Sequence, residues 1–219
     1  MSHTSSPRLL KGGLVVLSPG GSRVRRVISL QYNPDTLTRS YQVQGVGGEG
    51  GGERAQPFRL KGAAVESLKL DAEIDATDQL EFPDNHRVTT ELGIAPQIAA
   101  LEALVNPTTA DLLAVEADAR GGTLEILPPE APLVIFVWGR NRVAPVRVTE
   151  FSVTEEAFDP DLNPIRAKVS IGLRVLTVDD LGYDHRGGTV FLSYLRTRES
   201  LAQRVPGATL ATLGISNIP

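Results

Sequence analysis

A mainly β, α+β fold is predicted: an antiparallel β-barrel or sandwich with one amphipathic helix and a small helical C-terminal extension. Three observations predict it. Residues 65–75 alternate, with Leu68, Leu70, Ala72 and Ile74 on one side and Lys69, Asp71, Glu73 and Asp75 on the other. This is the period of a strand with one buried face. Residues 132–139 form an apolar segment, Pro-Leu-Val-Ile-Phe-Val-Trp-Gly, that leads into alternating stretches at 146–155 and 167–176, read as the arms of a hairpin. Residues 88–105 instead place Leu92, Ile94, Ile98, Leu101 and Leu104 near helical spacing.

The elements follow in order. Gly13–Leu17 and Val24–Gln31 flank Pro19-Gly20-Gly21-Ser22, a turn signal between two β-rich runs. Tyr32-Asn33-Pro34-Asp35 forces a second turn, because the residue before proline avoids the α region and Asp bonds local amides. A strand at 36–43 follows, with Leu37, Arg39, Tyr41 and Val43 opposite Thr38, Ser40 and Gln42. The pair around Val27–Val43 therefore reads as a hairpin closing on that turn. Residues 45–52 hold six glycines, which cannot keep a fixed backbone at low entropic cost, so a mobile loop is expected. The helix over 88–105 has Pro96 in the first turn of its second half and ends before Asn106-Pro107. A shorter helix is expected over 111–120. Residues 128–132 form an extended, proline-rich lead into the apolar strand. Residues 179–188 are polar and turn-forming, and 190–213 read as helical fragments broken at Pro206-Gly207. The expected organisation is a flexible segment at 1–11, a β domain at 12–177 and an extension at 178–219 that is too short for a core of its own.

Composition narrows the function. A hydrophobic fraction of 41% in 219 residues supports a genuine core. A net charge of −4 lacks the basic footprint that nucleic acid requires. Arg23, Arg25 and Arg26 are local basic spots only. The absence of cysteine excludes a disulfide framework and thiolate zinc sites, and fits a reducing compartment. The run Leu133–Trp138 is far below the roughly 20 residues of a membrane span, and residues 1–8 have no apolar core of a signal peptide.

No catalytic constellation emerges. Gly45-Val46-Gly47-Gly48-Glu49-Gly50 matches G-x-G-x-x-G formally, yet more glycine, an acid and Pro57 follow instead of a helix, so a loop is the better reading. Asp71, Glu73 and Asp75 share a strand face and could in principle pair or hold a divalent cation. They read better as a solvated or salt-bridged face, since hard-cation sites converge ligands from a loop. A further reading pairs them with Arg23, Arg25 and Arg26 of a neighbouring subunit, which sets register more than affinity. His3, His86 and His185 are isolated, and no serine sits in G-x-S-x-G. No metal, cofactor or enzymatic activity is expected. Trp138 reads as core.

The order of motifs carries a resemblance. Leu30-Gln31-Tyr32-Asn33-Pro34-Asp35-Thr36, the strand at 67–75, a helix, the segment ending Phe136-Val137-Trp138-Gly139, the strand at 148–153 and the turn Phe158-Asp159-Pro160-Asp161-Leu162-Asn163-Pro164 resemble the tube-type baseplate proteins of contractile injection systems over residues 12–177. Tyr32 stands where that family commonly has Phe, Asp35-Thr36 replaces the residues that usually follow Asn-Pro, and the last turn lacks the family's Gly-Thr. Residues 199–219 look like a shortened LysM-type module that serves as a docking segment.

The resemblance implies a phage tail-tube type barrel that closes edge to edge into a ring, of six copies, adapting the spike hub to the inner tube. The implied partners are copies of the chain itself, the spike or hub protein, the inner tube protein and other baseplate subunits, with no nucleic acid and no membrane insertion. Assembly would be cytoplasmic, within an injection particle. Interface residues on this reading are Arg23, Arg25, Arg26, Asp71, Glu73, Asp75, Phe158 and Asp159, with the Gly-rich loop and the 156–166 turn between rings. A glycan- or wall-binding module with an all-β domain and a LysM-like tail is the alternative.

Overall fold

The computed structural model describes residues 9–45, 60–121 and 131–218. Seven strands form one antiparallel sheet: β1 (Gly13–Leu17), β2 (Val24–Ser29), β3 (Leu37–Gln42), β4 (Val65–Asp75), β5 (Val134–Val137), β6 (Val143–Phe158) and β7 (Pro164–Val175). Their spatial order is β2-β1-β5-β6-β7-β4-β3. The helices are α1 (Thr77–Leu80), α2 (Arg87–Leu92), α3 (Ala95–Glu102), α4 (Thr109–Arg120), α5 (Val178–Leu181) and α6 (Arg186–Ala202). Among the described residues the sheet is not hydrogen-bonded into a closed barrel, and its seven antiparallel strands are compatible with the mainly β, barrel-like class that the sequence predicts.

The β1–β2 and β6–β7 hairpins stand where the alternation puts them, and β4 spans the predicted strand. The hairpin expected around Val27–Val43 does not form. β2 pairs with β1, β3 pairs with β4, and the two strands are the opposite edges of the sheet. The Asn-Pro turn therefore carries the chain from one edge to the other.

One face of the strands supplies the core. Leu68, Leu70, Ala72 and Ile74 of β4 meet Ala167, Val169, Ile171 and Leu173 of β7, Val134 and Phe136 of β5, and Ile94, Ile98 and Leu101. At about 25 cal/mol per Å² of apolar area removed from water, this shared face is the main stabilising term. Ile135 alternates to the other side of β5 and forms a smaller cluster with Leu17 and Leu133, packed by Leu181 and Val190.

The single helix expected over 88–105 is two short ones. Gly93 separates them with φ 56, and the Ile94 amide donates to the Pro164 carbonyl at 2.8 Å, tying this corner to the start of β7. A Cβ on Gly93 would lie 2.1 Å from that carbonyl oxygen, so backbone conformation and space both demand glycine. Pro96 sits in the first turn of α3, as its fixed φ favours. α4 is capped by a reciprocal Thr108–Asp111 box. The Gly-rich segment is outside the described residues beyond Gly45, as is most of the proline-rich lead into β5.

The extension beyond residue 177 shares the sheet's core. α6 buries Phe191 and Tyr194 in the main cluster, so this stretch of chain contributes to the stability of the β domain.

Gly93→Ala is expected to lower stability by roughly 1–3 kcal/mol, read as the shift in urea midpoint. Gly207→Ala, where an added Cβ meets nothing within 4 Å, should stay within about 0.5 kcal/mol. Equal midpoints for the two variants would contradict the role given to Gly93.

Candidate functional site

The candidate surfaces among the described residues are the outer sheet face, the two sheet edges and the ends of the strands. On the strands β3, β4, β7 and the distal part of β6, the outward positions are Thr38, Ser40 and Gln42, then Ser67, Lys69, Asp71 and Glu73, then Lys168 and Ser170, then Ser152 and Thr154. The face is built of hydroxyls and balanced charge. Lys69 pairs with Glu150 at 3.6 Å, Lys168 with Glu156 at 2.7 Å and Arg166 with Asp75 at 3.0 Å. Such exposed pairs are worth little individually, but they leave the surface near neutrality. The hydrogen bond from Lys168 to Glu156, with Glu73 opposite in register, raises the Lys168 ammonium above its ordinary value. Gly172 faces the β6 bulge between Val148 and Glu150, where an added Cβ would stand 2.8 Å from Glu150 Cβ.

The acids of β4 thus divide. Asp71 and Glu73 are exposed on this face, whereas Asp75 is bound within the chain. Hydrogen bonds from the Thr77 hydroxyl and amide, aided by Arg166, hold the Asp75 carboxyl below its ordinary value. Among the described residues no group of three or more His, Cys, Asp or Glu side chains could hold a metal ion. His185 caps α6, its Nδ1 accepting from the Gly187 amide at 3.1 Å, and His3 lies outside the described residues.

The arginines of the β2 edge also divide. Arg23 closes the β1–β2 turn through its backbone. Arg25 faces Asp111 of α4, and Arg26 borders a cleft of about 420 Å³ between β2, the end of β4 and α3. The cleft separates β2 from the end of β4 that β3 does not pair. Ile28, Leu30, Ala72 and Ile74 line it, and so does Gln97, whose buried Oε1 has no hydrogen-bond partner among the described residues.

Two side-chain amides fix the segment that leaves β2, one reaching the end of β4 and the other the chain before β1. Gln31 donates to the Asp75 carbonyl at 2.6 Å and accepts from the Asp75 amide at 3.0 Å. Asn33 accepts from the Gly12 amide and donates to the Leu10 carbonyl, both at 2.8 Å. Each amide does what a paired strand residue would do with its backbone. This is the physical content of the Gln-x-Asn-Pro sequence in the edge-to-edge connection.

Sequence reasoning missed one residue. Glu66 lies on the inward side of β4, in register with Leu68 and Leu70, and is only 3% exposed. Its carboxylate accepts from Tyr41 Oη at 2.7 Å, from Tyr194 Oη at 3.0 Å and from Arg198 Nη1 at 3.1 Å, with Arg39 at 3.9 Å. The Arg198 guanidinium stacks over both rings, 5.0 Å from Tyr41 and 5.4 Å from Tyr194. The node joins β3, β4 and α6. Tyr41 is 40% exposed, but its hydroxyl donates to the buried Glu66 carboxylate. Burial and then the Glu66 carboxylate push its pKa up to about 12, and the same causes raise Tyr194.

At the far end of β6, Phe158 and Asp159 open the turn to β7. Asp159 accepts from the Asp161 and Asn163 amides at 2.9 and 2.8 Å and from Asn163 Nδ2 at 2.8 Å. The Asn163 hydrogen bond and the turn amides outweigh burial and hold the Asp159 carboxyl below its ordinary value. Asp159 therefore shapes the turn, and Asp161 and Leu162 form its exposed tip.

The antiparallel sheet with one polar face agrees with the strand alternation of the sequence, whereas the Asn-Pro segment joins opposite edges where a hairpin is expected. The family model of contractile injection system tube proteins matches residues 18–180. The chain belongs to that family. No curated protein matches it. The matched span of this tube-family protein runs from the β1–β2 turn to α5, so α6 and the Tyr194 and Arg198 contacts to Glu66 lie beyond it. Membership makes the protein a structural component of a contractile injection system. No helix among the described residues is long and apolar enough to cross a membrane.

Glu66→Ala is expected to cost about 3–5 kcal/mol, the scale for removing one partner of a buried ion pair, with Glu66→Gln costing less; urea unfolding checks both. The raised Tyr41 value fixes a sign in pH. Its contribution is complete below the ordinary value of 10.0 and is lost as pH rises toward about 12. A tyrosinate absorbance titration should show a late phase that moves to lower pH in Glu66→Gln. At the acid end, the contribution of Asp75 is present above its ordinary value of 3.8 and is lost as pH falls below it.

Proposed function

We propose that copies of this chain associate side by side into a closed ring, of six, that connects the spike hub to the inner tube. The observation that carries the reading is the open sheet. Among the described residues β2 and β3 each have one unpaired side, and edges of this kind are liabilities that closed assemblies cover. Exposed Val24 and Val27 on β2 add apolar surface to one edge. The hydroxyl-rich outer face would line the channel, where near-neutral polarity lets a cargo pass without adhering. Arg23, Arg25 and Arg26 at one edge, and Asp71 and Glu73 near the other, would then set register between neighbouring copies. Residues 203–218, almost all exposed, would dock on an adjoining baseplate protein.

Native mass spectrometry of the chain, alone and mixed with hub and inner tube proteins, tests this. A ring-sized mass, or a stoichiometric complex with the hub, is expected. A lone 23.5 kDa species indifferent to both would overturn the proposal.

A further inference from the structure

Backbone direction decides where a sheet can still accept a strand. In an antiparallel strand the N–H and C=O of one residue point to the same side, and every second residue repeats that side. The Leu30 amide donates to the Gly12 carbonyl beside β1, so Leu30 and Ile28 turn their backbone groups toward β1, and Val27 and Ser29 turn theirs away. Among the described residues β2 pairs with β1 alone. The backbone groups of Val27 and Ser29 therefore face the cleft that both residues line. Across it, the amide and carbonyl of Asp75 are bonded by Gln31, which marks the side of β4 turned away from β7. Glu73, two residues earlier, presents its backbone to the same side. It lies beyond the reach of β3, whose pairing stops at Leu37 opposite Leu70.

Two stretches of unpaired backbone thus border one cleft of about 420 Å³, within the range of ligand sites. Ile28, Leu30, Ile74 and Leu101 give it an apolar wall. Gln97 of α3 adds an amide whose Oε1 is buried without a hydrogen-bond partner among the described residues, a state that a buried acceptor leaves when a donor arrives. Two cations stand at the ends of the β2 stretch. Arg26 is opposite Val16, and Lys11 precedes the Gly12 carbonyl that Leu30 bonds. Glu73 is the one acid of the lining, and it already has Lys168 opposite in register.

We infer that this cleft receives one extended segment of a different protein, added as a strand between β2 and β4. The segment bonds the backbone of Val27 and Ser29 on one side and of Glu73 on the other. Its inward side chains are apolar with one hydroxyl, which donates to Gln97 Oε1, and an acid at each flank meets Arg26 and Lys11. Strand addition of this kind takes affinity from main-chain bonds and specificity from alternate side chains. The charge points to another protein. The exposed apolar stretches of the chain itself, 9–10 and 205–218, hold no acid, and neither does the edge strand β3. The slot begins at Val27 and leaves Arg23, Val24, Arg25 and all of β3 for contacts between copies, so the inference stands apart from the ring.

Amide hydrogen exchange on the full chain, resolved to single residues, tests the slot with a capped peptide of sequence Asp-Val-Gln-Thr-Gln-Val-Asp. At saturation the amides of Val27, Ser29 and Glu73 are expected to exchange at least tenfold more slowly. Those of Arg39 and Tyr41, which face outward from the other edge, should not change. A peptide N-methylated at alternate residues, and one with Lys at both flanks, should each bind at least tenfold more weakly. The unmodified chain should prefer the central Thr to Val, and Gln97→Leu should reverse that preference. Absence of saturable protection, equal binding by the N-methylated peptide, or the same Thr-to-Val preference in Gln97→Leu overturns the proposal. Val27 and Ser29 amides already protected in the free chain also overturn it, because the chain then fills the slot itself.

Discussion

The buried carboxylate of Glu66 is the interaction on which the arrangement of this protein turns. Removing a charge from water costs several kcal/mol unless its lone pairs are satisfied, and here two tyrosine hydroxyls and a guanidinium satisfy them. Those partners come from β3 and from α6, so the solvation of one side chain forces an edge strand, its neighbour and a distant helix into a fixed relation. With α6 in place, Phe191 and Tyr194 complete the core above Leu68 and Leu173. The same node holds Arg198 and Arg39 beside Trp138 and Arg142.

A second constraint is that the sheet remains open. Closing a barrel needs a strand between β2 and the end of β4. In its place the chain uses the amide of Gln31, bonded twice to the Asp75 backbone, while Asn33 bonds the backbone of Gly12 and Leu10 just before β1. These bonds fix the edge-to-edge connection without consuming the edges. A subunit of a tube family benefits from that economy, because unpaired strand sides are the surfaces through which identical copies associate.

Much of this was legible in the sequence. The alternation in β4, β6 and β7 gave the strands and their faces, since a buried and a solvated side leave a period of two wherever a sheet is covered on one side. The edge-to-edge path was not legible: Tyr32-Asn33-Pro34 signals a turn, and a local turn reads as a hairpin unless the long-range partners Asp75, Gly12 and Leu10 are known. The split of 88–105 depends on Gly93 approaching Pro164, again a contact distant in sequence. Glu66 could have been found, for it stands two residues before Leu68 on the apolar side of the strand, where an acid demands an explanation. Its partners Tyr194 and Arg198, 128 and 132 residues away, could not. Of the candidate acids, Asp75 and Asp159 are engaged in shaping their own loops.

Amide hydrogen exchange on the unmodified chain tests the central claim, that one buried carboxylate makes α6 part of the sheet's cooperative unit. The account predicts that amides of residues 190–198 open with the same free energy as those of 68–74 and 167–173. Residues 190–198 exchanging through a much less costly local opening, while the strands stay protected, would contradict it.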